Sequence, residues 1–495
     1  MQSRLLDRET GDISPRAFAR AHTTDLLRSF APAPQHRFNG ELGGATSSSS
    51  VAAAVADETR PYTIRAHAAG ISSLALDKFD GRLLLSGGVE GNIKIWDLEG
   101  TCAGPHGVHT FRPASTIVRS LAGEEQQGQG QGQGQGGHSH GITHLAFYPF
   151  DPDAFLSSSY DKTLKLWSTA RSALSASFNL NATIYSHTTS PIADHLLVAC
   201  ATQNSHVRLV DLKSGSTAQA LVAHGGPVLS TVWSPRQDHT LVSGHADGKI
   251  RIWDIRRAGG VVAQLDQDDT QGFVRKHEQA VAAGQDPSSV PRLRAAAQAH
   301  DDAVNALQWS SDGRYIVSAG LDGRIRVWDA ATGANTLASF GSLVQNRHAK
   351  TASIILPPPG LSSRDYVFWA NDYDILMFDL HAGNLITRLR SPVAANPVGP
   401  RGTEAGRTRI SSIVWRGCGG GGASVGPVMG GANAPGAIYS AHLDGHIRAW
   451  MPQIPGPDDL EEDEEATDEA DSKKRKRKAV DDAFKSLMGK KVTFT

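Results

Sequence analysis

Histidine, serine and an acid recur in this chain at spacings that a hydrolase could use. In four sets a histidine precedes a serine by 18 or 19 residues, and an acid follows the serine by four: His67-Ser86-Glu90, His138-Ser157-Asp161, His224-Ser243-Asp247 and His300-Ser318-Asp322. A serine activated by histidine and oriented by a carboxylate would be the nucleophile of an acyl transfer. A catalytic triad, however, occurs once in a protein. Each copy also runs on, six residues past its acid, to a tryptophan (Trp96, Trp167, Trp253, Trp328), and a fifth copy, Ser440-Asp444-Trp450, lacks the upstream histidine. Repetition assigns the set to structure, in which the acid accepts from histidine, serine bonds to histidine and the indole N–H closes the chain of hydrogen bonds. Glu90 replaces aspartate in the first unit, so its network is expected to be displaced.

No other constellation points to catalysis. The sequence has no GxxxxGK[ST], no HExxH and no acidic metal loop, and the glycine-rich run at 417–436 lacks the strand-to-helix setting of a dinucleotide site. His187, His195 and His381 read as surface or core residues. No catalytic residue, cofactor site or metal site is expected, and the chain does not read as an enzyme.

The elements that position these residues are short strands. ISSLAL, RLLLSGG and NIKIWDL in the first unit, and TLVSG and KIRIWDI around Trp253, are apolar or alternating runs broken by tight turns such as Asp247-Gly248 and Asp322-Gly323. A second tier repeats with them: Ile71, Ile142, Val228 and Val304 lie four residues after the histidines, and Leu76, Phe147, Trp233 and Trp309 five further on, with Ile410 and Trp415 keeping the interval in the last unit. Two long gaps hold degraded copies, VRLVDL near Val210-Asp211 and DYDILMFDL with Asp372 and Phe378. Five clear units and two weak ones, each of four strands, predict an all-β, seven-bladed WD-repeat β-propeller. The orphan run Tyr62 to Arg65 (YTIR) is expected to complete the last blade and close the ring.

At 495 residues and 39% hydrophobic content the chain can bury a large core, and a formal net charge of -1 creates no whole-molecule field for nucleic acid or membranes. Three scattered cysteines suit a reducing compartment, and no apolar run is long enough for a signal peptide or membrane span. An intracellular, soluble protein is expected. Residues 1–30 read as a helical segment, with Ser14-Pro15 as cap and first turn. Residues 31–60 read as a flexible linker, and 61–455 as the propeller, with loop inserts near 103–137 (including the Gln-Gly tract), 257–297, 391–408 and 416–436. FVRKHEQAVAA in the second insert has the composition of a short helix. Residues 456–495 read as a disordered charged tail, acidic first and then basic at Lys473, Lys474, Arg475, Lys476, Arg477 and Lys478, a run of nuclear-localisation type. A nuclear protein is expected.

Only one clear blade extends its Trp-Asp pair to WDxR, at Trp253, Asp254 and Arg256. With the N-terminal helical segment and the ordered runs MQSRLLDRETGDISP, RAFARA, FLSSSYDKTLKLW, TIYSHTTSPIADHLLVACAT, WSPRQD and IRIWDIRRAGG, it resembles the Cockayne syndrome group A family, WD-repeat substrate receptors of cullin-4 ubiquitin ligases. The resemblance implies a non-catalytic receptor in transcription-coupled nucleotide excision repair. Its partners would be the damage-specific DNA-binding protein adaptor and repair factors of stalled RNA polymerase II, with no base-specific nucleic-acid contact and no membrane. It implies an adaptor-binding side made of Leu5, Leu6, Arg8, Phe18, Arg20, Leu26 and Leu27, joined by Arg256. Two alternatives stand beside it: a general WD-repeat nuclear scaffold in RNA processing or chromatin, and a direct reader of damaged DNA.

Overall fold

In a computed structural model the described residues are 2–41, 64–100, 108–120, 136–193, 195–257, 261–268, 297–390, 408–417 and 436–453. The body Met1–Pro452 is a seven-bladed propeller, each blade an antiparallel sheet that runs outward from an inner first strand. The inner strands are Ile71–Leu76, Ile142–Phe147, Ile184–Thr189, Val228–Trp233, Val304–Trp309, Ile354–Ile355 and Ile410–Arg416, in blades 1 to 7. The degraded copies form blades 3 and 6, where Val210 and Phe378 sit at 1% exposure in place of tryptophan.

The core is divided rather than central. Seven clusters of buried apolar side chains lie one at each junction between neighbouring blades; Leu85, Ile142 and Trp167, for example, share the cluster between blades 1 and 2. Each repeat buries its apolar face only against its neighbours, so the ring must close to protect its two end blades.

Closure differs from the sequence expectation. Blade 7 is completed by Phe30–Pro32, antiparallel to Ile447–Pro452 with Phe30 opposite Pro452. YTIR does not fill this place: Tyr62 and Thr63 lie outside the described residues, and Arg65 is irregular, its carbonyl accepting from the Gly40 N–H. The segment read as linker is therefore ordered at its start. It runs on to His36–Phe38, which pairs in parallel with His109–Phe111, and Phe38 stacks on Phe111 and meets Trp96 edge-on. The reason is steric: Phe30 and Phe38 have buried slots at the blade 6/7 and 7/1 junctions, and that outweighs a three-residue strand's poor propensity.

Two expected inserts contain strands as well. Pro113–Ile117 is the fourth strand of blade 1 and Val261–Leu265 that of blade 4. These outer strands are partly exposed and their sequences, PASTI and VVAQL, show no clean alternation, so periodicity does not reveal them. Blade 5 has three strands, its fourth edge reduced to a single bridge between Trp328 and Asn335. FVRKHEQAVAA, the glycine-rich 418–435 and the charged tail beyond 453 lie outside the described residues.

Candidate functional site

Three of the repeated sets close as a directional chain. In blade 1 the Trp96 indole, which can only donate, donates to Ser86 Oγ at 2.8 Å. The serine hydroxyl proton then goes to His67 Nε2 at 2.7 Å, and His67 Nδ1–H donates to Glu90 at 3.0 Å. Glu90 therefore fills the role of aspartate, and the network is not displaced. Blade 2 repeats it through Trp167, Ser157, His138 and Asp161 at 2.7, 2.6 and 2.8 Å, and blade 5 keeps the same partners, Trp328, Ser318, His300 and Asp322 at 2.8, 2.8 and 3.1 Å, with the donor Arg326 Nη1 also 2.6 Å from His300 Nδ1. Burial keeps the three histidines neutral by lowering their pKa values, against the raising effect of their acids. Burial is the largest single effect on Asp161 and Asp322 and acts to raise them, but the hydrogen bonds and charge of His138 and His300, together with the bonds from Thr163 and from Arg326 and Arg324, sum to more and hold both carboxyls below their ordinary range.

Blade 4 departs from this pattern. His224 is exposed, and Ser243 instead bonds to His245 Nε2 at 2.7 Å while accepting from Trp253 at 2.7 Å. Asp247 pairs with Arg251, which also donates to the His224 carbonyl at 2.6 Å. Blade 7 uses the same substitute, His442, bonded to Ser440 at 3.0 Å, with Asp444 accepting from Thr408 and Arg448 and Trp450 donating to Ser440. The position two residues after the serine decides between the arrangements. It is Gly88, Ser159 or Gly320 where the upstream histidine enters, and a Cβ at Gly88 or Gly320 would lie 2.7 or 2.6 Å from that ring. Where it is His245 or His442, this ring fills the space.

A cation two residues before each tryptophan completes the frame: Lys94, Lys165, Arg251, Arg326 and Arg448. Lys94 donates to the carbonyls of Gly40 and Ala66, Lys165 to those of Gly136 and Gly137, and Arg326 to Asp322. The repeat interval alone exposes this position in the sequence. All five serines are fully buried, so none is open to a substrate.

The residues expected on the adaptor-binding side do not form one surface. Leu5 and Leu6 lie on the helix Gln2–Glu9 and the others on Pro15–Arg28, which Ser14 caps by accepting from Ala17 N–H. Leu6 is 65% exposed and Arg8 stands over the Phe18 ring at 5.4 Å. Leu27 is buried in the blade 6/7 cluster and Leu26 is half-buried. Arg20 donates to the Gly360 carbonyl at 3.0 Å, so this end of the helix is a brace on blade 6. Arg256 is far along the ring in blade 4, 66% exposed, its guanidinium paired with Asp254 at 3.0 Å.

The sequence gives no hint of what fills the central channel. In place of a fourth strand in blade 5, residues 345–353 cross it. Asn346 and Asn305 exchange amide hydrogen bonds at 2.7 and 2.9 Å, and Asn305 also donates to the carbonyls of His348 and Lys350. Beyond them Lys350 Nζ donates to the Ser72 carbonyl of blade 1 at 3.2 Å, Thr351 to Leu229 of blade 4 at 3.1 Å, and Ser353 bonds Ser412 of blade 7 at 3.1 Å. One segment thus ties inner strands from across the ring. Between it and blades 6 and 7 lies a small pocket of about 30 Å³ with Arg347, His348, Lys350, Asp372 and Arg409 in its wall. Burial lowers Lys350 to about 8, and nearby Arg409 pushes the same way.

Comparison with known proteins agrees with the ring. The WD domain, G-beta repeat family matches at residues 58–97, 133–168, 215–254 and 292–329. The WD repeat-containing protein ATCSA-1 of Arabidopsis thaliana is 30% identical over 325 residues, covering 55% of this chain and 69% of that protein. Radiation-sensitive protein 28 of Saccharomyces cerevisiae is 25% identical, over 39% of this chain and 38% of its own length. Ribosome biogenesis protein YTM1 of Phaeosphaeria nodorum is 28% identical over the same shares. Further relatives at 22–29% identity are also named ribosome biogenesis proteins, and the chain spans only 38–52% of the length of that group.

These names correct the reading drawn from the Cockayne syndrome group A resemblance. Several of these relatives are named for ribosome biogenesis, which conflicts with a cullin-4 substrate receptor, with DNA repair as its process, and with the damage-specific adaptor and polymerase repair factors as partners. What the matching family, the 69% coverage of ATCSA-1 and the seven-bladed ring establish together is that the chain belongs to the WD-repeat protein family.

Proposed function

We propose that this protein is a non-catalytic WD-repeat scaffold that acts in the nucleus in ribosome assembly. The observation that carries the reading is the recurrence of ribosome biogenesis proteins among its relatives. A scaffold role is supported by the chemistry of the repeats, whose serines and histidines are consumed by hydrogen bonds inside the blades. A rigid ring with many exposed turns holds partners at fixed separations, and that requires no reactive group. The ring with its N-terminal helices is the binding body, and the basic run 473–478 is its nuclear import signal.

Gradient sedimentation of tagged protein from nuclear extract tests the assignment. Co-sedimentation with particles that hold ribosomal RNA precursors and assembly factors is the expected result. Protein that stays at the top of the gradient with a cullin adaptor in near-stoichiometric amount overturns it. Replacing residues 473–478 by alanine in a fluorescent fusion is expected to move the signal to the cytoplasm, and unchanged nuclear fluorescence refutes the import role.

A further inference from the structure

The pocket at the channel mouth gathers three cations around one carboxylate. Lys350, Arg347 and Arg409 line it, and Asp372 is its one carboxylate, faced by His348 at 3.7 Å. Among the described residues the side chains of Arg347, which is exposed, and Arg409, which is half-buried, make no hydrogen bond or ion pair, and Asp372 acts on Arg409 only through its charge; the buried guanidiniums of Arg251 and Arg326 are each paired with aspartate. Lys350 has only the Ser72 carbonyl. Lys350 and Arg409 are held partly out of water and repel one another, so an anion entering the pocket would relieve both costs.

The surroundings narrow the ligand. In successive blades the N–H of an exposed turn residue bonds the carbonyl just before an inner strand: Leu443 to Arg409, Val89 to Gly70, Tyr160 to Gly141. These equivalent bonds set Leu443, Val89 and Tyr160 on the same face as Arg409, with Tyr373 next to Asp372, and all four side chains are exposed. The pocket is therefore a recessed basic point beside an apolar arc across blades 6, 7, 1 and 2. A nucleic-acid backbone needs cations spread along a track, whereas here they converge on one point. That convergence suits the doubly charged phosphomonoester at the end of a side chain, with its flanking residues on the arc.

We propose that the channel mouth is a binding site for a phosphorylated peptide segment of a partner protein, with Arg347, Lys350 and Arg409 holding the phosphoryl group. Charge-assisted bonds from two guanidiniums and an ammonium supply the affinity, and Asn305 and Asn346 fix the crossing segment that carries Arg347 and Lys350. This inference stands independently of the ribosome-assembly reading, since it concerns the chemistry of one pocket.

The test is fluorescence anisotropy of the full chain with three labelled probes: a degenerate phosphoserine peptide pool, the same pool unphosphorylated, and an oligouridylate. The phosphorylated pool is expected to bind about tenfold or more tightly than its unphosphorylated counterpart. Arg347→Gln and Arg409→Gln are each expected to weaken it about three- to tenfold, and Arg347→Gln, at an exposed position, leaves the thermal midpoint unchanged. Lys350→Met is expected to abolish the preference; because it also cuts the tie to blade 1, the arginine variants carry the decision if it fails to fold. Equal affinity for both pools, tighter binding of the oligouridylate, or a phosphate preference that survives the Arg347→Gln/Arg409→Gln double change overturns the proposal.

Discussion

At the scale of single residues the frame is a set of buried polar chains whose members are not interchangeable. Ser318→Ala leaves the His300 Nε2 and the Trp328 indole unpaired in the core, and is expected to cost about 2–3 kcal/mol in urea unfolding. His245→Ala should cost about as much, while His224→Ala should change stability by no more than about 0.5 kcal/mol, because only its carbonyl is used. The histidine interval in the sequence makes these two residues look the other way round, since spacing cannot say which of two rings reaches the serine; the small residue two places after Ser86, Ser157 and Ser318 could have said so. Acid should probe the same groups. Burial, as the largest cause, holds His442 at about 3 and His36 and His144 at about 4, from an ordinary 6.5. The unfolded chain therefore binds more protons, so stability is full above about pH 6.5 and is lost as pH falls toward the folded values. Asp161, Asp322 and Asp444, held below the carboxylate range, act in the same sense at lower pH. The urea midpoint is expected to drop on acidification, and His442→Asn to remove roughly 2–3 kcal/mol of the loss at about pH 4.5; an unchanged pH profile in the variant excludes His442 as a source.

At the scale of elements, the strands that pack between blades were legible and the edge strands were not. Inner and middle strands such as Ile316, Val317 and Ile325 to Trp328 carry apolar signals because both faces meet neighbouring blades. Phe30–Pro32 carries none, being three residues long with proline at its end, and it is selected only by the slot that blade 7 leaves open. The crossing segment 345–353 has no period either, since its order comes from side-chain bonds to other blades. The two N-terminal helices separate by function. Leu27→Ala is expected to lower stability by about 2–4 kcal/mol because the side chain fills the blade 6/7 junction, whereas removing residues 1–13 should leave the midpoint nearly unchanged. Removing residues 1–32 strips both Leu27 and the closing strand, and size-exclusion chromatography should then show aggregates in place of a monomer peak.

At the scale of the whole molecule, the ring converts a linear repeat into a body with no open end blade, and places the cations of Arg347 and Arg409 at one mouth of its channel. The repeat interval made that architecture readable, while partners were not readable from it, because the same frame serves unrelated assemblies. The parallel pairing of His36–Phe38 with His109–Phe111 adds a second clasp at the blade 7/1 seam, so opening the ring means unpacking Phe38 from Trp96 as well as stripping the closing strand. The way blade 7 is completed also fixes an order of events during biosynthesis. Phe30–Pro32 leaves the ribosome before any blade exists, yet its partner Ile447–Pro452 is translated after all the other strands. Throughout elongation the nascent chain therefore exposes one unmatched edge, which is covered only once Ile447–Pro452 has emerged.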